Sequence, residues 1–520
     1  MNILCGYNVN IDSVYRVSGA EISELLETFE EAEILNKIEY PPGKIISEAD
    51  FVAGLAYCMK NGYGAEWLVF EHSAFKFLKN RYFEKSLVRM GGNAGIMANA
   101  LSQLGASRVI PNVAVPSKTQ LSLFSKKAIY FPDTLMQMKE NTGEEPEENK
   151  NAGKESEENK NAGEESEENK GTVSSSQEPI HFVFDFSEGE TFSLYGTEIK
   201  VPRENRFIAT CDHLNLRLFA NPAFEQYAFQ HVHEIDGILI SGFHLLLENY
   251  PDGSTYETIL DNAISQLRSW KARNNKLRIH LEFGHFANKN IVNSVFLKCA
   301  DLSDSLGMNE DELAMLYNLH GVPGEGLLNM EAEAVTRAAC RLASRYRHKE
   351  LLIHTREFVL TVSKLDFTSK LDLKSSSNPH SESHTDFQPS VEIEDSMDDS
   401  MEDSESSMFQ KAAGEKLEAL EFGVRCAGAY AATGRLEGRE FVEEAALKLQ
   451  ESTFGREQIE AFLKTFNGKT LRQGAYALWE GYLICMLPTL LSKTPVTTVG
   501  LGDTLTAGIF LRGLELNVQA

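Results

Sequence analysis

Apolar and polar positions follow two periods along the chain, one typical of strands and one typical of helices. Short apolar runs, as at Asn2–Tyr7 and Gly237–Gly242, indicate buried strands. Longer stretches with an apolar residue every three or four positions, as at Glu48–Lys60 and Tyr256–Arg273, indicate helices. Because strands and helices alternate, the pattern predicts an α/β fold with a doubly wound, mainly parallel sheet that has helices on both faces.

The same patterns predict the other elements. Further strands are expected at Arg108–Val115, His181–Phe186, Phe192–Val201, Leu277–Phe283, Ser303–Gly307 and Glu350–Val362, and in the β-branched residues that follow Pro495. Further helices are expected at Ile22–Asn36, Asn290–Cys299, Asp311–Leu319, Glu331–Tyr346, Gly414–Thr433, Gly438–Leu449 and Glu457–Phe466, and from Thr504 onward. The turn Ser187-Glu188-Gly189 predicts that His181–Phe186 and Phe192–Val201 pair as a hairpin.

Two acidic stretches interrupt this pattern. The first contains the repeat NAGKESEENK–NAGEESEENK, and its residues 140–170 carry −8 of the net charge of −26. The second is dominated by Ser, Asp and Glu, and its residues 375–410 carry −10. Because neither has an apolar face, we expect 137–171 to be an acidic low-complexity insertion and 373–411 an acidic, Ser-rich disordered insertion. Segments 1–136, 172–372 and 412–520 then form the folded body, whose mild acidity argues against a nucleic-acid surface.

Cysteine usage and hydropathy predict a cytoplasmic protein without a membrane partner. The seven cysteines are scattered without CxxC or another metal spacing, as is typical of reduced thiols. The first residues lack the basic and apolar regions of a signal peptide. The most apolar run, near Ala477–Leu491, is interrupted by Glu480 and Pro488 and is too short to span a bilayer.

The main candidate for chemistry is GLGD, Gly500 to Asp503, close to the C-terminus. Gly500 and Gly502 allow a sharp turn before a predicted helix, where backbone N–H groups and the helix dipole can hold a phosphoryl group. Asp503 beside them can take a proton from a hydroxyl group. A bare motif of this kind is more often an ordinary N-cap Asp after a glycine turn, so its interpretation depends on the motifs that accompany it.

Two acidic motifs at predicted strand ends accompany it. In HLE, His280 and Glu282 point to the same side of a strand, and in NEDE, Asn309 to Glu312, a strand passes into a helix. Each motif alone is explained by a buried histidine or by an acidic helix N-terminus. Together, Glu282 and Glu312 could hold Mg²⁺ through water, and with GLGD they provide the phosphate site, metal site and base that phosphoryl transfer needs.

Polar residues in the first hundred positions suggest a second half of the site. Asn10 and Asp12 follow the first strand in a predicted loop, which is either a hydroxyl-binding edge or a turn that satisfies its own side chains. GGNAG, which includes Gly92 and Asn93, is a glycine loop that enters a helix of small residues. Such a loop allows the backbone to approach a ligand closely or to pack tightly on a sheet.

The chain resembles the ADP-dependent sugar kinases, which are the archaeal ADP-dependent phosphofructokinases and glucokinases of the ribokinase-like superfamily. The resemblance lies in the order and approximate spacing of five motifs, NVNID, GGNAG, HLE, NEDE and TTVGLGDT. The resemblance covers nearly the whole chain outside the acidic stretches. It implies a ribokinase-like core with a smaller, discontinuous α+β lid formed by segments at about 13–70 and 180–207. It also implies that the sugar lies between core and lid and that ADP lies at the sheet edge.

The resemblance also assigns roles to single residues. Asp503 would be the general base, and Gly500 and Gly502 would form the anion hole. Nucleotide contacts are implied at Asn309, His354, Thr355 and Gly502, the Mg²⁺ site at Glu282, Glu312 and Asp503, and sugar contacts at Asn10, Asp12, Glu66, Gly92, Asn93 and His181. Arg203 and Arg206 could clamp a 6-phosphate with charge-assisted hydrogen bonds.

We therefore predict an ADP-dependent phosphofructokinase that transfers the β-phosphoryl group of ADP to fructose 6-phosphate in a modified glycolysis, with Mg²⁺. Three alternatives stay open: an ADP-dependent glucokinase or bifunctional enzyme, an ATP-using enzyme of the ribokinase type, and a catalytically silent module that binds sugar or nucleotide. A pure binding module would have no need of Asp503. The sequence leaves the oligomeric state open.

Overall fold

The computed structural model describes residues 1–132, 178–319, 321, 325–365 and 399–519. This part of the chain divides into two compact units, an N-terminal unit, Asn2–Leu277, and a C-terminal unit that begins at Arg278 and also includes Met1. The predicted insertion 137–171 lies outside the described residues, as does 373–398. Residues 399–411 differ from the prediction of disorder, because they belong to the helix Asp399–Thr433.

The N-terminal unit alternates strands and helices. Its strands are β1 Asn2–Gly6, β2 Asn10–Arg16, β3 Lys44–Ile45, β4 Ala65–Val69, β5 Leu87–Gly91, β6 Arg108–Pro111, β7 Ile180–Phe186, β8 Thr191–Leu194, β9 Thr197–Lys200, β10 Asn205–Cys211 and β11 Gly237–Ile240. Its helices are Gly19–Leu26, Glu31–Glu39, Glu48–Asn61, His72–Tyr82, Asn93–Leu104, Lys118–Ser122, Pro222–His231 and Tyr256–Arg273.

Two sheets organise this unit. β1 lies between β6 and β11, and all three strands are parallel. The second sheet has six strands in the order β3-β4-β10-β7-β2-β5, taken from segments far apart in the sequence. One of its faces is apolar, since Phe182, Phe184 and Phe186 of β7 lie in the hydrophobic core. The alternate residues of each strand therefore point to the opposite face.

The C-terminal unit contains the remaining elements. Its strands are β12 Arg278–Glu282, β13 Ser305–Met308, β14 Glu350–His354, β15 Phe358–Lys364, β16 Gln450–Glu451, β17 Lys469–Leu471, β18 Gly474–Trp479, β19 Tyr482–Pro488 and β20 Leu490–Leu491. Its helices are Lys289–Cys299, Glu310–Leu319, Glu325–Leu328, Ala332–Tyr346, Asp399–Thr433, Arg439–Ala446, Thr453–Thr465 and Leu501–Gln519.

The sheet of this unit has a parallel part and an antiparallel part. Its strand order is β17-β18-β19-β15-β14-β13-β12, and β12, β13 and β14 are parallel. The other pairs are antiparallel. In β19 the consecutive residues Cys485 and Met486 point to opposite faces and are both fully buried, so both faces of the sheet are covered. Among the described residues, none of the helices combines the length and hydropathy of a bilayer-spanning segment.

Two strand predictions are wrong because a turn was overlooked. β7 does not form a hairpin with the next segment; it pairs with β10 and β2, and β8 and β9 form a hairpin of their own. The turn between β8 and β9 contains Tyr195 and Gly196, both with positive φ. Glu350–Val362 is likewise two antiparallel strands, because the hydroxyl of Thr355 accepts hydrogen bonds from the N–H groups of Glu357 and Phe358 and closes a turn.

Three further differences concern segment boundaries. The residues after Pro495 form no strand, and Val496 is 67% exposed, so the β-branched run lies on the surface. The following helix begins at Leu501 rather than Thr504, because Gly500 with φ +76° turns the chain immediately before it. Asn10 and Asp12 lie in β2 rather than in a loop.

Candidate active site

The C-terminal unit brings several predicted phosphate and metal residues together at one sheet edge. Glu282 ends β12, Asn309 follows β13 and His354 ends β14, and parallel strands place their carboxyl ends at the same edge. The Glu282 carboxylate is almost fully buried. Its Oε1 lies 2.7 Å from Nε2 of His354, and its Oε2 lies 3.0 Å from both Nε2 of His280 and Oγ1 of Thr506.

Glu282 and His354 form a buried ion pair. Burial by itself would raise the pKa of Glu282, but the charge of His354 and hydrogen bonds from His280 and His354 lower it to about 2. Burial would lower the pKa of His354, yet the charge and hydrogen bond of Glu282 raise it to about 9. Both groups are therefore charged near neutral pH, and each fixes the orientation of the other.

Two glycines make room for this arrangement. A Cβ atom on Gly307 of β13 would lie 2.0 Å from Oε2 of Glu282, so only glycine leaves space for the carboxylate over that strand. A Cβ atom on Gly502 would lie 3.2 Å from Cε1 of His354. His354 therefore lies against the GLGD turn and connects it to Glu282.

The GLGD turn opens the helix Leu501–Gln519. The N–H of Thr504 donates to the carbonyl of Gly500 at 3.0 Å, so Gly500 is the last residue before the helix. The first N–H groups of a helix lack partners within it and, with the helix dipole, form an anion-binding site. Asp503 lies in this first turn and is 8% exposed. A phosphoryl group and a buried carboxylate can therefore meet here.

Asn309 and Glu312 cap the helix Glu310–Leu319. The N–H of Glu312 donates to Oδ1 of Asn309, and the N–H of Asn309 donates to Oε2 of Glu312, both at 2.9 Å. This reciprocal pair is a capping box. Burial raises the pKa of Glu312 to about 7 against the effect of the Asn309 hydrogen bond. A buried carboxylate of this kind favours a nearby cation.

The donor set fits a hydrated Mg²⁺ rather than a directly ligated ion. Both oxygens of Glu282 already accept hydrogen bonds from protein groups. Within the described ranges, no group of three or more His, Cys, Asp and Glu side chains has the arrangement of a metal site. Because Mg²⁺ commonly keeps several waters, Glu312 can bind it through water while Glu282 remains in its ion pair. The Thr355 hydroxyl is engaged in its turn, and its nucleotide contact stays a prediction.

The predicted sugar residues of the N-terminal unit lie on the polar face of the six-stranded sheet. In register, Asp12 of β2 lies between Arg89 of β5 and His181 of β7, and His181 lies opposite Thr210 of β10. The hydroxyl of Thr210 donates to Oε1 of Glu66 at 2.6 Å. We call these five residues the polar row. They share one face because they alternate with the core residues of their strands.

A carboxylate just beyond the polar row pairs with its histidine. Nε2 of His181 lies 3.1 Å from Oδ2 of Asp212, which is buried and also accepts a hydrogen bond from Asn215. Burial would lower the pKa of His181, but the hydrogen bond and charge of Asp212 raise it to about 9. Burial raises the pKa of Asp12, although His181 and Arg89 oppose this effect. The row thus offers a cationic donor beside a carboxyl group.

Asn10, Gly92 and Asn93 form one end of this site. Nδ2 of Asn10 donates to Oδ1 of Asp12 at 2.8 Å, and Nδ2 of Asn8 donates to Oδ1 of Asn93 at 3.1 Å. Gly92 has φ +74°, and a Cβ atom there would lie 2.5 Å from the carbonyl oxygen of Asn8. Only glycine allows the chain to enter the helix Asn93–Leu104 this close to β2.

Arg203 and Arg206 are not brought into the polar row. Arg203 is exposed, and Arg206 forms an ion pair with Asp185, whose Oδ1 is 3.4 Å from its Nε. Arg206 precedes Thr210 by four residues on β10, about 13 Å along the strand. The arginine that does lie in the row is Arg89, with Nε 3.7 Å from Oδ2 of Asp12.

Sequence reasoning missed several of these residues. Asp212 carried a detectable signal, since it is a carboxylate directly after β10, where its strand ends. Thr506 gave none, because its contact with Glu282 joins residues 224 positions apart. Arg89 and Thr210 are ordinary strand residues whose position depends on the register of non-adjacent strands.

Comparison with known proteins links these geometries to a family. The family profile "ADP-specific Phosphofructokinase/Glucokinase conserved region" matches residues 1–512. An ADP-specific phosphofructokinase of Pyrococcus abyssi is 25% identical over 98% of this chain and 97% of its own length. An ADP-dependent glucose/glucosamine kinase of Pyrococcus furiosus is 26% identical over 98% of this chain and 93% of its own length.

A solved structure shows the same fold. The structure of a phosphofructokinase from Pyrococcus horikoshii OT3 with AMP aligns with a TM-score of 0.72 and 22% identity, covering 100% of this chain and 99% of that one. The predicted α/β fold class of the ADP-dependent kinases is therefore confirmed.

Proposed function

Because the chain belongs to the ADP-specific phosphofructokinase/glucokinase family, it is an ADP-dependent sugar kinase, and we propose that it transfers the β-phosphoryl group of ADP to fructose 6-phosphate. The products would be fructose 1,6-bisphosphate and AMP. The observation that carries the proposal is the buried Asp503 in the first turn of the helix Leu501–Gln519. The P. abyssi relative named as a phosphofructokinase supports the acceptor, and the P. horikoshii phosphofructokinase with AMP supports the nucleotide product.

The residues of the C-terminal unit perform the transfer in this proposal. The N–H groups that follow Gly500 bind the phosphoryl oxygens, and Asp503 accepts the proton of the attacking hydroxyl group. The ion pair of Glu282 and His354 holds the imidazole against the glycine turn. Glu312 would hold Mg²⁺ through water, and the ion, when bound with ADP, neutralises charge on the transferring group. Asn309, with its side chain at the same strand edge, would contact the nucleotide.

The N-terminal unit recognises the sugar in this proposal. The hydroxyl groups of a sugar need hydrogen-bond donors and acceptors in fixed positions. Both are provided by the side chains of Asn10, Asp12, Glu66, Asn93 and His181. The close approach allowed by Gly92 adds backbone groups to the site. We also propose that the six-stranded sheet belongs to the lid. The protein is further proposed to act in cytoplasmic glycolysis, because its seven free, buried cysteines would stay reduced in the cytoplasm.

Glucose is a second candidate acceptor. The ion pair of Arg206 with Asp185 favours it, because an arginine already paired with a carboxylate has less to offer a 6-phosphate. The P. furiosus relative, a glucose/glucosamine kinase, is as similar to this chain as the P. abyssi relative. Glucose carries no phosphate and needs only the polar row.

Replacing Arg203 and Arg206 together by Ala is expected to distinguish the two acceptors. If the pair clamps the 6-phosphate, loss of one charge-assisted hydrogen bond, worth about 1.5–3 kcal/mol, raises KM for fructose 6-phosphate roughly ten- to a hundredfold. Turnover of glucose should not change. The measurement is kcat/KM for both sugars, with ADP and with ATP as donor, in wild type and variant.

Arg89→Ala is the matched comparison, because Arg89 is the arginine of the polar row. If only Arg89→Ala lowers kcat/KM for fructose 6-phosphate, the 6-phosphate is bound by Arg89 and not by Arg203 and Arg206. If the double variant loses kcat/KM equally for fructose 6-phosphate and glucose, Arg203 and Arg206 only stabilise their sheet. A wild type that uses glucose but not fructose 6-phosphate would make the protein a glucokinase, and one that uses ATP but not ADP would contradict the proposed donor.

Glu312→Gln is expected to raise the Mg²⁺ concentration at half-maximal activity severalfold, because the amide removes the negative charge that favours a hydrated cation. The capping hydrogen bond from Asn309 can still be made by Gln. Asp311→Asn, an exposed neighbour in the same helical turn, is the control and should leave the titration unchanged. A Glu312→Gln enzyme with the wild-type Mg²⁺ requirement would rule out this role.

A further inference from the structure

The carboxylate of Asp212 is held in a fixed orientation at the end of β10. Asp212 directly follows that strand, and its side chain is 1% exposed. The backbone N–H of Asn215 donates to Oδ1 of Asp212 at 3.2 Å, and Nδ2 of Asn215 donates to Oδ2 at 2.7 Å. Because one residue binds both oxygens, the carboxylate cannot turn away from its ion-pair partner, His181, at 3.1 Å.

Asn215 also connects Asp212 to the segment that precedes β2. The same Nδ2 donates to the carbonyl of Val9 at 3.0 Å, and Nε2 of Gln120 donates to that carbonyl at 2.9 Å. Both amide side chains are fully buried. Val9 is followed by Asn10, the first residue of β2 and one of the predicted sugar contacts. The group that holds Asp212 therefore also holds the start of the strand that carries Asn10.

The two ring nitrogens of His181 have different surroundings. Nε2 lies 3.1 Å from Oδ2 of Asp212, whereas Nδ1 makes no hydrogen bond with the described residues. The side chain of His181 keeps 13% of its surface exposed. When Nε2 carries a proton toward the carboxylate, Nδ1 is an acceptor in the neutral ring and a donor in the charged ring. The protonation state of His181 therefore decides which kind of partner a ligand meets at Nδ1.

The carboxylates around His181 favour the charged ring. Asp12 lies next to His181 in register on β2, Glu66 is on β4, and Asp212 follows β10. Burial would lower the pKa of His181, but the hydrogen bond and charge of Asp212 and the charges of Glu66 and Asp12 raise it to about 9. The cation Arg89 lies on the other side of Asp12, with Nε 3.7 Å from its Oδ2. Of these groups, Asp212 is the one in hydrogen-bond contact with the ring.

From these contacts we propose that Asp212 is a positioning residue for the acceptor sugar: it holds His181 as a cation whose Nδ1–H donates to a hydroxyl oxygen of the sugar. A hydrogen bond from a charged donor is about twice as strong as one between neutral groups. The inference rests on the proposed role of His181 in sugar binding. The charge on the imidazole, in contrast, can be measured without any sugar.

An NMR titration of the histidine ring protons tests the charged state on the full chain, with the resonance of His181 identified by its absence from His181→Gln. In wild type, His181 should titrate near pH 9. Asp212→Asn keeps the shape of the side chain and removes its charge, so His181 should titrate about 1–3 pH units lower. Wild-type titration at or below pH 6.5, or an unchanged pKa in Asp212→Asn, would overturn the proposal. The wild-type measurement is decisive even if Asp212→Asn does not fold.

Asp252→Asn is the matched control. It removes one carboxylate charge from the same unit, at an exposed residue that pairs with Arg217. The pKa of His181 should be the same in this variant as in wild type, and so should KM for the acceptor sugar. An equal decrease of the pKa in both variants would show that the net charge of the unit, rather than Asp212, sets the state of His181, and would overturn the proposal.

The dependence of KM on pH tests whether the sugar uses this proton. With a pKa of about 7, the middle of the expected range, about a tenth of His181 in Asp212→Asn is protonated at pH 8 and most of it at pH 6. KM for the acceptor sugar should therefore be roughly tenfold above wild type at pH 8 and close to wild type at pH 6. kcat should not change, because Asp503 is unaltered. The ratio of KM values cancels the ionisation of the phosphate of the substrate, whose second pKa is about 6.

The possible failures are distinguishable. A ratio of KM values that is the same at pH 6 and pH 8 would mean that Asp212 only stabilises its turn or that the sugar does not use the proton, and would overturn the proposal. An unchanged KM in His181→Gln would overturn it as well, by removing His181 from the sugar site. Failure of the proposed function would be seen instead as a wild type that phosphorylates neither fructose 6-phosphate nor glucose, and the NMR titration does not depend on that result.

Discussion

Asp503→Asn is expected to lower kcat by about 10²–10⁴-fold, the range for loss of a general base. The amide has the shape of the carboxylate but cannot accept the proton of the acceptor hydroxyl. KM for the sugar should change little, since the proposed sugar residues lie in the N-terminal unit. The N–H groups of the helix Leu501–Gln519 are unchanged in this variant, so ADP should bind nearly as well as in wild type.

Asp311→Asn is the matched control for this experiment. It is also an acid in the first turn of a helix, Glu310–Leu319, but it is exposed. If the Asp503→Asn substitution acted only by removing an interaction with the helix dipole, both variants would lose a similar and small amount of stability. A folded Asp503→Asn enzyme that keeps more than about a tenth of wild-type kcat would lie outside the range for a general base and would refute the assignment.

The sequence predicted those elements whose signal is local. The helix Tyr256–Arg273 was predicted to the residue, because its apolar spacing is regular along its length. Pairing was predicted less well: β7 pairs with β10 and β2, and proximity in sequence had suggested the segment after Gly189. The residues after Pro495 show the limit of propensity, since a β-branched run forms a strand only where a neighbouring strand accepts its hydrogen bonds.

The candidate site was predictable where residue type and strand position coincide. Glu282 and Asn309 are predicted from their places at the ends of strands, and the structure brings them to one edge. His354, which joins them there, is implied only by the resemblance, because the sequence predicts one strand over Glu350–Val362 and His354 lies inside it. The contacts that set the charge and orientation of these side chains are not predictable from the sequence. The position of Thr506 against Glu282 depends on how a helix late in the chain packs on β12. Asp185 as the partner of Arg206 depends on the register of two strands.

His354→Gln is expected to lower the free energy of unfolding by about 3–5 kcal/mol near pH 6, because it leaves the buried charge of Glu282 without its cation. Gln preserves a hydrogen-bond donor at that position, so the loss reports mainly on charge. The measurement is denaturant unfolding of wild type and variant at several pH values, with their difference plotted against pH.

The expected pH dependence follows from the two folded pKa values. The pKa of His354 is raised from 6.5 to about 9 by Glu282 against the effect of burial, so its contribution is full below pH 6.5 and is lost as the pH rises through 9. The pKa of Glu282 is lowered from 4.5 to about 2, against burial, mainly by His354, so its contribution is present above pH 4.5 and is lost as the pH falls through 2. The difference in free energy of unfolding between wild type and His354→Gln should therefore be largest between about pH 4.5 and 6.5 and should shrink toward pH 9.

His348→Gln provides the opposite case as a control. His348 is also buried, but burial lowers its pKa from 6.5 to about 4, so the folded protein holds it neutral. Its contribution to stability is present above pH 6.5 and is lost as the pH falls through 4, so between pH 6.5 and 9 the difference from wild type should stay constant. A His354→Gln difference that also stays constant from pH 6.5 to 9 would mean that His354 is neutral in the folded protein. The ion pair that orients it against Gly502 would then not exist.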